Sequence, residues 1–291
     1  MKKGKDAFDN YYRQIFPERW SKLHASLEQK KHTVHLVNPF CEWSSEEQKL
    51  FTPIHNINII RSADPAQTRD PKSGLLKTYQ LDEASLWPAL TAVQSLSSDH
   101  MIMDMCAAPG GKSLAMIFAL QGQAQFHLND MSEDRVMRLK SVMRQYLPPD
   151  VFSRVRITKS DASRMGLRQQ NVYDAVLLDA PCSSERHLLE NAKELEQWSP
   201  KRIQGLAVRQ MGLICSALEL CKQGQTFVYS TCALSPLENE ELVQKFLKKR
   251  KQRVELVNEE FPGEKRAYGT AIWPDEAAGL GPIYYAQFRK N

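Results

Sequence analysis

A chain of 291 residues with 42% hydrophobic and 25% charged side chains can bury a core of domain size, which excludes a disordered tail or a small disulfide-stapled module. Its 39 Lys and Arg against 34 Asp and Glu leave a formal +5 and a pI near 8.8, a mild surplus that permits a polyanion partner without requiring one. Mean hydropathy is −0.48, and no apolar run reaches the about 18 residues that a membrane-spanning helix needs.

The amino terminus, Met1 to Asp6, begins like an export signal but runs into Asp9, Asn10 and Tyr11 instead of an apolar stretch. Six cysteines, Cys41, Cys106, Cys182, Cys215, Cys221 and Cys232, are too sparse for a disulfide scaffold, and no Cys-x-x-Cys pair suggests zinc. The expectation is a reducing, cytoplasmic setting with free thiols, no metal and no membrane.

Phe8 to Leu27 carries apolar residues at helical spacing, interrupted at Pro17, and predicts two helices in a small, mainly helical N-terminal unit. Ser62 to Gly74 reads as an exposed loop or linker and sets the expected division: 1–75, an N-terminal unit with linker, and 76–291, a catalytic domain. Beyond it, Met101–Met105, Phe126–Leu128, Val155–Ile157, Ala175–Leu178 and Thr226–Tyr229 are short aliphatic runs of strand length. Gly111–Gln121, Ser132–Tyr146 and Pro200–Cys221 read as the helices between them. Such alternation predicts an α/β fold with a parallel sheet covered on both faces. Ser235-Pro236-Leu237-Glu238 predicts a capping box that opens a further helix, and Val254–Val257 and Ile283–Phe288 predict two closing strands.

The chemistry concentrates at the strand ends. After the first strand comes Asp104-Met105-Cys106-Ala107-Ala108-Pro109-Gly110-Gly111-Lys112-Ser113, whose small residues let a ligand approach the backbone at a helix N-terminus. A Walker A loop needs a glycine where Cys106 stands, and the glycine spacing of a dinucleotide fingerprint is absent. Asp130 closes the second strand, where an acid meets ribose hydroxyls in nucleoside-binding sheets, although alone it would more often be a helix cap. Asp161 follows the third strand and could accept a hydrogen bond from an adenine amino group. This order of glycine turn and two acids is the layout of a nucleoside-cofactor sheet, and the single glycine pair without a third glycine favours S-adenosyl-L-methionine over a dinucleotide.

Asp179-Ala180-Pro181-Cys182-Ser183 lies at the end of the fourth strand and Thr231-Cys232 at the end of the fifth, so the two thiols are expected to face one pocket. Two cysteines, an aspartate and a methyl donor suit methylation at the 5-position of cytosine. That carbon becomes nucleophilic only after a thiolate adds to the ring 6-position, and an aspartate at N3 or the exocyclic amine stabilises the developing charge.

DMCAAPGGKS, DAPCS and YSTCALSPLENE, in that order, resemble three signature motifs of the Sun family of RNA cytosine-5 methyltransferases. The resemblance implies a Rossmann-like class I methyltransferase sheet flanked by helices. It implies Cys232 as nucleophile and Cys182 as the thiol that assists proton removal and product release, with Asp179 beside them. It also implies that Cys106, Ala107, Ala108, Pro109, Gly110, Gly111 and Lys112 hold adenosylmethionine together with Asp130, Arg135, Asp161 and Asp179. Phe8-Asp9-Asn10-Tyr11-Tyr12, Tyr79 to Leu86 and Gly281 to Tyr285 are similar to the branch that acts on mitochondrial small-subunit ribosomal RNA, whose member works with a helical-repeat partner. The expected substrate is therefore ribosomal RNA or a small-subunit particle, with transfer RNA, or a weakly catalytic ribosome-assembly role, as alternatives. The chain ends with its last strand, so substrate choice is expected to rest on the N-terminal unit, on Lys248-Lys249-Arg250-Lys251 or on a protein partner.

Overall fold

The structure, a computed structural model, describes residues 3–61, 67–97, 99–257 and 262–291. The N-terminal segment forms helices α1 (Lys5–Ile15) and α2 (Trp20–Glu28), strand β1 (Thr33–Val37), one-turn helix α3 (Ser45–Gln48) and strands β2 (Thr52–Ile54), β3 (Ile57–Ile60) and β4 (Thr78–Asp82). Helix α4 (Leu86–Val93) leads into β5 (Met101–Asp104), α5 (Gly111–Ala119), β6 (Gln125–Asp130), α6 (Glu133–Tyr146), α7 (Pro149–Phe152) and β7 (Val155–Lys159). There follow β8 (Tyr173–Asp179), α8 (Glu185–Glu190), α9 (Ala192–Gln197), α10 (Pro200–Leu220) and β9 (Cys221–Thr231). Helix α11 (Glu240–Arg250) and strands β10 (Val254–Leu256), β11 (Glu264–Arg266), β12 (Gly269–Ile272) and β13 (Ile283–Lys290) complete the chain.

Each of the five apolar runs forms a strand, and β7-β6-β5-β8-β9 lie side by side and parallel. The order reverses between β5 and β8, the switch point at which open α/β sheets bind ligands. β13 pairs antiparallel with β9, Tyr285 opposite Ser230, and carries β12 and β11 on that edge and β10 at its end. The strands read as unbroken apolar runs because both faces are covered. Ile102, Leu177 and Val228 enter one core layer, whereas Met103, Val176, Leu178 and Tyr229 alternate into the other.

The N-terminal segment contributes to both layers. Phe8, Tyr12 and Trp20 join Trp198 in edge and stacked aromatic contacts 4.9–6.2 Å apart, on the same side as α10 and α11. Phe8 is fully buried, and truncating such a ring typically costs about 3–5 kcal/mol. On the opposite side lies an antiparallel sheet of order β2-β3-β1-β4, which adds strands to the two helices expected there. β4 follows the expected division at 75/76 yet pairs with β1 from Thr33↔Asp82 to Val37↔Thr78, so the loop links two strands of one sheet. Residues 62–66 of that loop lie outside the described residues. Its remainder is pinned by Asp70, whose carboxylate accepts from the Ser73 backbone N–H at 2.8 Å.

Two further differences matter. The capping box expected at Ser235–Glu238 does not form: these residues make a turn, and α11 begins at Glu240 after Asn239. Tertiary partners take both side chains, Ser235 meeting Tyr11 and Glu238 meeting Ser183 and Gln210. Lys248, Lys249 and Arg250 occupy the last turn of α11, where cations complement the helix dipole. β10, which follows them, pairs with the end of β13 that lies opposite the start of β9, so this basic stretch sits at the sheet edge away from the strand ends described next.

Candidate active site

Two thiols meet at the carboxyl ends of β8 and β9. Cys182 Sγ lies 3.2 Å from Cys232 Sγ, and the Cys232 backbone N–H approaches Cys182 Sγ at 3.4 Å. Parallel pairing creates this proximity, because Asp179 stands opposite Ser230 in register and each chain then turns into a cysteine-bearing loop. Ser184 adopts the left-handed conformation, φ 54°, and its Oγ lies 3.2 Å from Cys232 Sγ. A non-glycine residue held there marks a backbone over-determined by its surroundings.

The thiols differ in electrostatics. Hydrogen bonding from Cys182 pulls the Cys232 thiol below its ordinary range against the opposing effect of burial, and Ser184 reinforces that pull. Cys182 moves up, because it donates to Cys232 and is buried. Of the two, Cys232 is thus the thiol that ionises more readily and Cys182 the one that keeps its proton. Asp179 is held at both oxygens, Oδ1 accepting from Ser230 Oγ at 2.8 Å and Oδ2 from Lys112 Nζ at 2.8 Å. Burial opposes the charge on Lys112, but the Asp179 carboxylate outweighs it and leaves the ammonium raised.

These groups line a cavity of about 670 Å³ that also contains Cys106, Asp130 and Arg135. A smaller cavity of about 240 Å³ adjoins it, sharing Ser85, Cys106, Lys112 and Asp179, and is lined by Ala107, Ala108, Pro109 and Gly111. The glycine turn is packed from both sides: a Cβ on Gly110, φ +122°, would stand 2.8 Å from Met143, and one on Gly111 would stand 2.9 Å from Tyr79. Asp130 accepts from the Ser132 N–H through Oδ1, while its buried Oδ2 has no hydrogen bond and lies 3.3 Å from the Arg135 guanidinium. Arg135 also donates to the Ala108 carbonyl. Burial, with Asp104, Asp179 and Asp130 nearby, pushes the Cys106 thiol up, which disfavours its thiolate.

Of the residues singled out in the sequence, Asp161 does not join this group. Its Oδ1 accepts from Ser163 N–H at 3.1 Å and Ser163 Oγ at 2.7 Å, capping a 3-10 turn at Ala162–Leu167, and it lines neither cavity. Several participants lie in or beside the signature runs yet received no role from them. Ser184 and Ser230 are ordinary serines until β8 and β9 pair. Asp104 is 1% exposed, accepts from Ser113 Oγ at 2.6 Å, and is pushed up to about 7 chiefly by burial. The other cysteines are free: Cys41 and Cys221 are buried and Cys215 half-buried. Among the described residues no group of three or more His, Cys, Asp or Glu could hold a metal ion.

The strand order, the glycine turn at the switch point and the thiol pair at the adjoining strand ends define a methyltransferase of the Rossmann-like class. Residues 91–289 match the family described as 16S rRNA methyltransferase RsmB/F, and the chain belongs to that family. Among curated relatives, the mouse 5-cytosine rRNA methyltransferase NSUN4 is 29% identical over 97% of this chain and 87% of its own length. The bovine protein of that name is 35% identical over 74% of this chain, and the mitochondrial tRNA (cytosine(34)-C(5))-methyltransferase of zebrafish 32% over 78%. The chain spans 60% and 65% of those two relatives. A methyltransferase homologue from Pyrococcus horikoshii has the same fold, with a TM-score of 0.76 at 22% identity over 99% of this chain and 95% of the other.

Proposed function

We propose that the chain is an S-adenosyl-L-methionine-dependent RNA cytosine-5 methyltransferase acting on ribosomal RNA. The observation that carries this reading is the thiol pair, 3.2 Å apart, with Cys232 the more readily ionised of the two, beside a clamped aspartate. Cys232 adds to the 6-position of a cytosine turned out of its helix into the cavity, which makes the 5-carbon nucleophilic. Asp179, with Lys112 at its back, faces N3 or the exocyclic amine and stabilises the charge that develops. The 5-proton then leaves to a water base with the assistance of Cys182, its electron pair re-forms the 5,6 double bond, and the bond from C6 to Cys232 Sγ breaks to return the thiolate. The ribosomal substrate is supported by the 16S family and the NSUN4 relatives; the zebrafish relative makes transfer RNA the alternative.

The residues present fit the cofactor. Asp130 Oδ2, buried and without a hydrogen bond, is an acceptor for a ribose hydroxyl, and the turn Cys106–Lys112 is closed to larger side chains at both glycines. Asp130, Arg135, Asp179 and the turn would hold adenosylmethionine, which supplies an electrophilic methyl group when bound. Cations at the cavity, Lys31 and Arg209, offer contacts for the RNA backbone, with a protein partner as a further source of targeting. Bisulfite sequencing of total RNA from cells with and without the gene tests the reading. Loss of one ribosomal 5-methylcytosine is expected; loss from transfer RNA alone would change the substrate, and no loss anywhere would favour a non-catalytic assembly role.

A further inference from the structure

Behind the thiols lies a second, fully closed cluster with no part in the chemistry described above. Glu185, at the start of α8, and Glu238, in the turn before α11, are both completely buried. Ser183 Oγ is within hydrogen-bonding reach of Glu185 Oε1 and of Glu238 Oε1. Glu238 Oε2 accepts from the Ser183 N–H at 3.0 Å and from Gln210 Nε2 at 2.8 Å, and Gln210 Nε2 also reaches the Pro181 carbonyl at 2.9 Å. Glu185 Oε2 accepts from the Leu234 N–H at 2.9 Å, and Tyr12 of α1 donates to Glu185 Oε1. The pair therefore grips Ser183, which follows Cys182, and Leu234, two residues after Cys232, while Gln210 ties Glu238 to the Pro181 carbonyl on the other side of Cys182.

A serine hydroxyl has one hydrogen, yet here it lies between two carboxyls. One proton completes the chain: one carboxyl, protonated, donates to Ser183 Oγ, and Ser183 donates to the other. With no proton, two buried carboxylates compete for a single hydrogen, and no lysine or arginine pairs with either among the described residues. The groups that face the pair are Tyr11 and Tyr12 from α1, Tyr229 from β9, Gln210 from α10, Glu241 from α11 beside Tyr11, and the thiols themselves.

We propose that Glu185 and Glu238 are positioning residues that share one proton through Ser183, and that this shared proton holds the Cys182 and Cys232 segments at their working separation. The proposal rests on the reading of Cys232 as nucleophile. Burial and the neighbouring Glu185 push Glu238 up to about 7, which agrees with a proton retained near neutrality. As pH rises past that point the pair loses its proton, the Ser183 hydrogen bonds are contested, and Cys182 and Ser184 withdraw from Cys232.

The test uses the full chain and two readouts: kcat and KM for RNA methylation against pH, and Cys232 alkylation by iodoacetamide against pH, followed by mass spectrometry. Wild type is expected to lose kcat on the alkaline side with little change in KM. Glu238→Ala is expected to lower kcat by about tenfold or more and to raise the pH at which Cys232 alkylates. Glu238→Gln retains an acceptor for the Ser183 N–H and a permanent donor to Ser183 Oγ, so it should recover most of that loss and lack the alkaline decline. Glu185→Gln, which places a permanent donor on the other side, should behave in the same way if Glu238→Ala fails to fold. An alkaline decline unchanged in both glutamine variants, or Cys232 alkylation in Glu238→Ala that matches wild type, overturns the proposal. Absence of methylation in wild type, with alkylation that still follows the variants as expected, would refute the functional reading and leave the positioning role standing.

Discussion

Replacing Ser184 by alanine isolates one of the two hydrogen bonds that ready Cys232. The left-handed backbone at Ser184, φ 54°, is as unfavourable for alanine as for serine, so the change removes Oγ and little else. A hydrogen bond to a charged acceptor contributes about 1.5–3 kcal/mol, and sulfur at 3.2 Å belongs at the lower end. At about 1.4 kcal/mol per unit, the Cys232 thiol should titrate about one pH unit higher in the variant. Below the wild-type midpoint, thiolate then falls about tenfold, and so do alkylation by iodoacetamide and the single-turnover methylation rate. Both rates should approach wild type as pH rises above the new midpoint, because the intrinsic chemistry of the sulfur is unchanged. A variant whose Cys232 midpoint stays put, or moves down, would refute the assignment of Ser184 as donor to a Cys232 thiolate.

Cys182→Ser should trap a covalent protein–RNA adduct, visible as a shift on a denaturing gel, while Cys232→Ser abolishes methylation and forms none; the opposite pattern would exchange the two roles. Asp130→Ala should weaken adenosylmethionine binding in calorimetry by about 10- to 100-fold, the effect of losing one or two hydrogen bonds to a charged acceptor, and unchanged affinity would remove Asp130 from the site. Lys112→Met, which strips a cation from Asp179 Oδ2, should lower kcat more than it raises KM in steady-state assays. Asp104 is held up to about 7 against an ordinary value near 4, so the folded state binds a proton that the unfolded chain has released over that interval. Stability from this group is complete below about pH 4 and lost as pH rises through 7, on the order of 4 kcal/mol. Asp104→Asn should flatten that decline in urea unfolding curves taken across the interval.

The central sheet was legible because its strands are buried on both faces, which gives each a continuous apolar run such as Ala175-Val176-Leu177-Leu178. The N-terminal sheet was not. Its strands are short, His35 and Asn58 interrupt their apolar pattern, and Pro53 is tolerated only because β2 is an edge strand. The hairpin of β11 and β12 is harder still, since Glu264-Lys265-Arg266 has no strand character. Arg19 lies 3.0 Å from Glu264 and 2.6 Å from Asp275, an ion-pair network with the turn before α2, more than 240 residues earlier. For the site, the residues that bear the chemistry stood in recognisable runs at strand ends, whereas their supports are single residues scattered from Tyr12 to Glu238.

Ser235–Glu238 shows why local reading reaches its limit at the site. Serine, proline and glutamate at these spacings satisfy every requirement of a capping box, a local device that stabilises a helix end by about 1 kcal/mol. Glu238 instead turns inward, where it accepts from the Ser183 N–H and Gln210 and lies against Ser183 Oγ, while its own carbonyl accepts from Tyr229 at 2.6 Å. Each hydrogen bond to the buried carboxyl contributes about as much as the cap or more, and leaving any of these donors unpaired would add a desolvation cost of about 1–3 kcal/mol. The tertiary arrangement therefore prevails, and helix α11 starts five residues after Ser235 without a side-chain cap. The competition also accounts for the position of the thiol loops: a glutamate left at the helix end could not have secured the backbone beside Cys182.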